Sequence, residues 1–192
     1  MKHSEIEEAL MSLWVLVKES SPIVIGSQAL HGKFPDVADD IMYSREVDVI
    51  LPNKHKMGRW LNEVVGDDTP YAVDRGYYID HVMPVEGLPI FALGWESRLI
   101  HKALGISGAE GVLAAYLSPE DMVICKLGAG RSKDFAFVES LIRHGMVDVG
   151  SIESLADAVP DAYREKVKAG IQGIKERIES AEPSPIYPKP GN

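Results

Sequence analysis

Three acidic side chains and one small turn are the residues in this chain whose types and spacing could do chemistry. Glu46 and Asp48 stand at i and i+2 in Ser44-Arg45-Glu46-Val47-Asp48-Val49-Ile50-Leu51. On a strand, such a pair projects from one face. About twenty residues earlier, Pro22-Ile23-Val24-Ile25-Gly26-Ser27 has the pattern of a buried strand running into a Gly-Ser turn. Gly26 can take the backbone conformation that brings amides close to a phosphate. Ser27 adds a hydroxyl at a helix N-terminus, where unpaired N–H groups and the dipole favour an anion. Carboxylates beside such a turn are what a divalent cation and a nucleoside triphosphate (NTP) together require. The plainer alternatives are a turn with no ligand and a solvated strand face with two ordinary acids. Against the second, Val47, Val49, Ile50 and Leu51 mark a strand near the core, where a cation would offset the cost of burying carboxylates.

A third acid, Asp80, lies in the apolar-aromatic strand Tyr77-Tyr78-Ile79-Asp80-His81-Val82. Two carboxylates on one strand and one on its neighbour can hold two Mg²⁺ ions. One ion would orient the triphosphate and the other would activate an attacking hydroxyl whose proton Asp80 accepts. The alternative for Asp80 is a strand-end cap or a pair with Arg75. No competing site is visible. The six histidines have no metal-ligand spacing, and the single cysteine, Cys125, cannot complete a zinc cage. Cys125 sits in Met122-Val123-Ile124-Cys125-Lys126-Leu127 and is expected to be a buried apolar thiol. There is no Walker-type glycine loop and no Gly-x-Ser-x-Gly elbow.

The elements that must position these residues follow from periodicity and punctuation. Ser4-Glu5-Ile6-Glu7 is a capping box, and Ile6, Leu10, Leu13, Trp14 and Val17 continue it as a helix to about Lys18. A strand is expected at 23–25, a short helix at 27–33, a polar loop at 35–43 and the carboxylate strand at 46–51. A helix at 54–65 follows. Residues 71–73 and 77–82 flank Asp74-Arg75-Gly76, which predicts a hairpin turn. A further short strand is expected at 90–92. Ser118-Pro119-Glu120-Asp121 has a cap residue, proline at the first helical position and acids in the first turn, so a helix should run to about Ala129. Helices at 132–144, 151–158 and 161–180 complete the second half. Pro183, Pro185, Pro188 and Pro190 predict an extended tail. The fold class is therefore α/β (α+β). A small mixed sheet with flanking helices occupies 1–115, a helical bundle 116–180, and the proline-rich tail 181–192.

Composition bounds the rest. The chain has 192 residues, 45% of them hydrophobic, enough for one ordinary core. A net charge of −9 excludes a broad basic surface for sequence-independent nucleic-acid binding, while leaving room for a local basic groove. One cysteine fits a reducing compartment. The first eight residues are polar and acidic, unlike a signal peptide, and no apolar run spans a membrane. A cytoplasmic protein is expected.

The order Gly26-Ser27, then Ser44-x-Glu46-x-Asp48, then Asp80 resembles the signature of the nucleotidyltransferase fold of DNA polymerase beta type. Leu117-Ser118-Pro119-Glu120-Asp121-Met122-Val123-Ile124-Cys125-Lys126-Leu127, followed by Gly130-Arg131-Ser132-Lys133-Asp134, is similar to a segment of the AbiEii/MenT-like nucleotidyltransferases. Gly94-Trp95-Glu96-Ser97-Arg98 also fits that group of small bacterial proteins, and the resemblance covers about residues 20–145. It implies metal-dependent transfer of a nucleotidyl group from an NTP to an RNA, protein or small-molecule acceptor, within a toxin–antitoxin pair in some members. By the same resemblance, Gly26 and Ser27 hold phosphate, Glu46 and Asp48 hold metal, and Asp80 serves the attacking hydroxyl. Lys126 reaches the triphosphate, Asp134 orients it or the neighbouring helix, and Arg131 and Lys133 are further phosphate contacts. The alternative for Lys126 is a helix residue pointing to solvent. The partners implied are an NTP, an RNA or protein acceptor and a cognate antitoxin; separately, the proline-rich tail could dock on a second copy of the chain, and no membrane partner is expected.

This chain departs from the family pattern at its first carboxylate, which is Glu46 where aspartate is usual. A second reading is therefore a catalytically silent scaffold of the same fold that binds a partner protein or a nucleotide. The two differ in geometry. In the enzyme, Glu46, Asp48 and Asp80 converge within metal distance beside an open cleft near Ser27. In the scaffold, one of them points away or the cleft is filled.

Overall fold

Val24, Val47 and Val49 are fully buried and lie on adjacent strands, so the apolar runs around the Gly-Ser turn and the carboxylate pair become the middle of one sheet. The computed structural model describes residues 1–18, 21–37, 41, 44–83, 89–105 and 111–180. The expected proline-rich tail and most of the polar loop lie outside these residues. The elements are α1 (His3–Val17), β1 (Ile23–Val24), β2 (Glu46–Ile50), α2 (Gly58–Val65), α3 (Pro70–Arg75), β3 (Tyr78–His81), β4 (Ile100–Ala103), β5 (Leu113–Tyr116), α4 (Pro119–Ala129), α5 (Ser132–Arg143), α6 (Val149–Ala156) and α7 (Asp161–Ser180). A 3-10 turn, Ser27–Gly32, follows β1 directly.

The five strands form a mixed sheet in the order β3-β2-β1-β5-β4. β1 runs antiparallel to β2 and parallel to β5, β2 runs parallel to β3, and β4 closes against β5 antiparallel. This is the α/β class expected, with helices flanking the sheet and a helical second half. Because β1 and β2 are antiparallel, the C-terminal end of one and the N-terminal half of the other meet at one end of the sheet. The Gly-Ser turn and the carboxylates are brought together there.

Helix α1 begins two residues earlier than its capping box predicts, with Lys2 rather than Ser4 as the cap residue. Its first-turn acid is Glu5, whose Oε2 accepts the Lys2 backbone N–H at 2.6 Å. The predicted hairpin at 74–76 is replaced by helix α3. Thr69 caps it by accepting the Ala72 N–H at 3.3 Å, Pro70 occupies the first helical position, and Gly76 ends it at φ +75°. The Thr69-Pro70 start and the Gly76 stop favour a short helix over a two-strand turn. The consequence is topological, since β2 and β3 are joined by a helical crossover and are parallel. At 90–92 no strand forms. Ile90 and Ala92 are buried, and the polar groups here turn to the second half of the chain: the Ile90 carbonyl accepts the Cys125 thiol of α4 at 2.9 Å, and the following Leu93 N–H donates at 2.8 Å to the Ala158 carbonyl in the turn after α6. The strands actually present in that region are β4 and β5. Leu113-Ala114-Ala115-Tyr116 carries little β propensity of its own, and long-range pairing with β1 makes it a strand.

The helical half stands on the sheet through α4. Ser118 caps it by accepting the Asp121 N–H at 3.1 Å. Met122, Val123, Ile124 and Leu127 are buried, and this one helix also packs against α5, α6 and α7. Among the described residues, no helix is long and apolar enough to cross a membrane.

Candidate functional site

The pleat and the register together build the site. Glu46 and Asp48 share a face of β2, and the parallel register sets Asp48 directly against Asp80 and Glu46 against Tyr78. Glu46, Asp48 and Asp80 each offer a carboxylate oxygen, and these atoms lie within 4.8 Å of one another. All three residues are half-buried. Gly26 closes the opposite side. It takes φ +64°, and a Cβ there would overlap the Asp48 carboxylate, so only glycine lets the turn come this close. The Ile25 N–H donates to the Asp48 carbonyl at 2.9 Å, which ties the turn to the carboxylate strand.

Cations face this acidic group from the helical half. Lys126 on α4 and Arg131, just before α5, both pair with Asp134 on α5. Lys126 Nζ is 3.4 Å from Oδ1 and Arg131 Nε 2.7 Å from Oδ2. Asp134 is 1% exposed. Lys126 has 18% of its side chain exposed and lies 5.5 Å from the centre of the Phe137 ring, so it does not point to solvent. Two cavities meet at these residues. One, of about 590 Å³, is lined by Ser27, Ser44, Glu46, Asp48, Lys126 and Lys133 among others. The other, of about 360 Å³, lies between Ile25, Gly26, Val82, Met122 and Cys125. Asp48, Lys126 and Arg131 border both.

The electrostatics follow from this packing. Burial, then the charges of Glu46 and Asp80, push the Asp48 carboxyl up to about 7. Burial and Asp80 likewise raise Glu46, against the opposing pull of Lys133, Lys126 and Arg131. Burial raises Asp80, and a hydrogen bond from Asn62 partly counters it. For Asp134 burial is the largest single influence and acts upward, yet Arg131 and Lys126 together outweigh it and hold the carboxyl below the usual range. Three acids in one place therefore repel one another, which suits a donor set made for a cation.

Gly26, Ser27, Glu46, Asp48, Lys126, Arg131, Lys133 and Asp134 line the two cavities, and Asp80 stands beside Asp48. Asp80 does not pair with Arg75, which instead reaches Glu8 at 3.3 Å. The Cys125 thiol, expected to be buried, is half-buried and borders the second cavity; it donates to the Ile90 carbonyl, and burial raises its pKa. His81 faces away from Asp80 and is 7% exposed. Three contributors lie outside the candidate site residues, and of these only Ser44 belonged to a quoted motif. Asn62 on α2 donates to Asp80 Oδ1 at 2.7 Å. Ser44 Oγ accepts the Glu46 N–H at 3.2 Å, and buried Gln28 donates to the Ser44 carbonyl at 2.8 Å. Asn62 is one polar position inside an amphipathic helix, and nothing in its neighbours marks it.

Residues 4–177 match the family described as "Nucleotidyltransferase of unknown function (DUF6036)". No curated protein and no solved structure matches the chain.

Proposed function

The chain belongs to that nucleotidyltransferase family, and from this premise we propose that it catalyses Mg²⁺-dependent transfer of a nucleotidyl group from an NTP to an acceptor hydroxyl. The observation that carries the proposal is the convergence of Glu46, Asp48 and Asp80 within 4.8 Å beside the Gly26-Ser27 turn. Convergence beside an open cavity separates an enzyme from a silent scaffold, and it favours the enzyme. Glu46 in place of aspartate keeps a carboxylate oxygen within the group.

In this reading Glu46 and Asp48 hold the cations, and Asp80 completes the set. The ions, two in the full site, would neutralise triphosphate charge and lower the pKa of the acceptor hydroxyl when bound. The Gly26-Ser27 turn and the Ser27 hydroxyl cradle phosphate oxygens. Lys126, Arg131 and Lys133 attract the triphosphate, and Asp134 fixes the first two so that they enter the cleft already oriented. Asp80, raised by burial, accepts the hydroxyl proton. The sheet half (1–115) then supplies the metal side and the helical half (116–180) the phosphate side. The resemblance to AbiEii/MenT-like proteins supports a bacterial toxin–antitoxin component with an RNA or protein acceptor and a cognate antitoxin; the single cysteine favours the cytoplasm, and the proline-rich tail is a candidate for self-association.

The test is calorimetric binding of each of the four NTPs with Mg²⁺, on the wild type and on Asp48→Ala. The expected result is binding to at least one NTP that disappears without metal and in the variant. Absence of binding to all four with Mg²⁺ present overturns the proposal. Transfer of radioactive label from the bound NTP to RNA or protein then identifies the acceptor.

A further inference from the structure

Helix α2 has no part in the chemistry above, yet its inner face reaches the site. Gly58 and Asn62 are one helical turn apart and share that face. Gly58 is buried against the His81 ring, and a Cβ there would overlap the ring. The close approach sets Asn62 down on β3, where its amide is pinned from two sides. Oδ1 accepts the His81 backbone N–H at 2.7 Å, and Nδ2 donates to Asp80 Oδ1 at 2.7 Å. A backbone N–H can only donate, so the amide orientation is fixed by chemistry and Nδ2 must face Asp80. Asp80 Oδ1 is thereby anchored as an acceptor, and the other oxygen is left uncommitted to Asn62. β3 is an edge strand, paired on one side only by β2. Among the described residues, no other side chain is hydrogen-bonded to Asp80.

We infer that Asn62 is the positioning residue of the third carboxylate: it fixes the Asp80 rotamer toward Glu46 and Asp48 and makes that geometry depend on the docking of α2 through Gly58. The inference rests on the nucleotidyl-transfer reading and adds to it a group outside the carboxylate and cation sets. Outer hydrogen bonds of this kind orient ligands, and losing one typically costs about 10–100-fold in metal affinity.

The experiment is Mn²⁺ uptake by the full chain, followed by electron paramagnetic resonance, with far-ultraviolet circular dichroism to check the fold. Asn62→Leu is compared with wild type, and the same substitution is repeated in an Asp80→Ala background. The expected result is a loss of roughly 10-fold or more in Mn²⁺ affinity from Asn62→Leu, and less than about twofold when Asp80 is already gone. A residue that merely stapled the helix would lower affinity equally in both backgrounds, and that outcome overturns the inference. Gly58→Ala serves as a second variant should Asn62→Leu unfold, with the same loss expected and the same dependence on Asp80. Wild type that binds through Asp48 while both variants bind as well as wild type overturns this inference alone. Wild type that takes up no Mn²⁺, or whose uptake survives Asp48→Ala, overturns the nucleotidyl-transfer reading and this inference with it.

Discussion

Asp48 is the residue on which the site's demands conflict. It is the middle acid of three, it touches the Gly26 turn, and it borders both cavities. Its carboxyl is raised from 3.8 to about 7 by burial and then by its two acidic neighbours. The folded protein therefore holds that proton more tightly than the unfolded chain does. The stability this contributes is fully present below about pH 3.8 and is lost as the pH rises through about 7. Asp48→Asn, which cannot ionise, is expected to stabilise the metal-free protein by about 1–3 kcal/mol above pH 7 and to change little near pH 4. Urea denaturation at the two pH values checks this. Added Mg²⁺ should raise the wild-type midpoint at the higher pH, where no proton competes for the carboxylate, and leave the variant unmoved.

Helix α4 does at the element scale what Asp48 does at the residue scale, because it joins the two halves of the molecule. It starts directly off β5, is capped by Ser118, and carries Lys126 into the cleft. Its first turn also carries Asp121, which is fully buried and held by Arg98 at 2.8 and 2.7 Å and by the Ser118 hydroxyl at 2.6 Å. Arg98 belongs to the Gly94-Trp95-Glu96-Ser97-Arg98 segment, so that segment acts as a clamp on the start of the helix. Removing one partner of a buried pair leaves a charge with no compensation, which costs several kcal/mol. Arg98→Ala is expected to lower stability by about 3 kcal/mol in urea denaturation. NTP binding should weaken with it, since Lys126 moves with α4.

For the whole molecule, acid sensitivity has a source away from the carboxylates. His31, in the 3-10 turn after Gly26-Ser27, is 1% exposed and stands 5.5 Å from the His3 ring of α1. Burial, then the His3 charge, lowers its imidazole from 6.5 to about 4. A lowered histidine contributes stability that is present above about pH 6.5 and lost as the pH falls through about 4. His31→Leu should remove about 2–3 kcal/mol of that loss. Thermal midpoints of wild type and variant at pH 7 and pH 4 check it, with the difference between the two pH values shrinking in the variant.

Local chemistry makes much of this protein legible in its sequence. The i and i+2 spacing of Glu46 and Asp48 put them on one face, the apolar run around Lys126 kept that lysine out of solvent, and the Ser118-Pro119 cap started α4 where it does start. These are decided by neighbours in the chain, so the chain displays them. Other features were out of reach. The parallel pairing of β2 with β3, which sets Asp80 against Asp48, depends on a helical crossover that Thr69-Pro70 signalled but a turn-like Asp74-Arg75-Gly76 concealed. Strand β5 exists because β1 lies beside it, and Asn62 meets Asp80 because Gly58 lets a helix approach an edge strand. Residue types and their periodicity are local properties, so they already mark the groups able to bind a cation and a phosphate. Register, crossover and close approach arise from long-range packing, so the convergence of those groups, and what holds them together, is visible only in the folded chain.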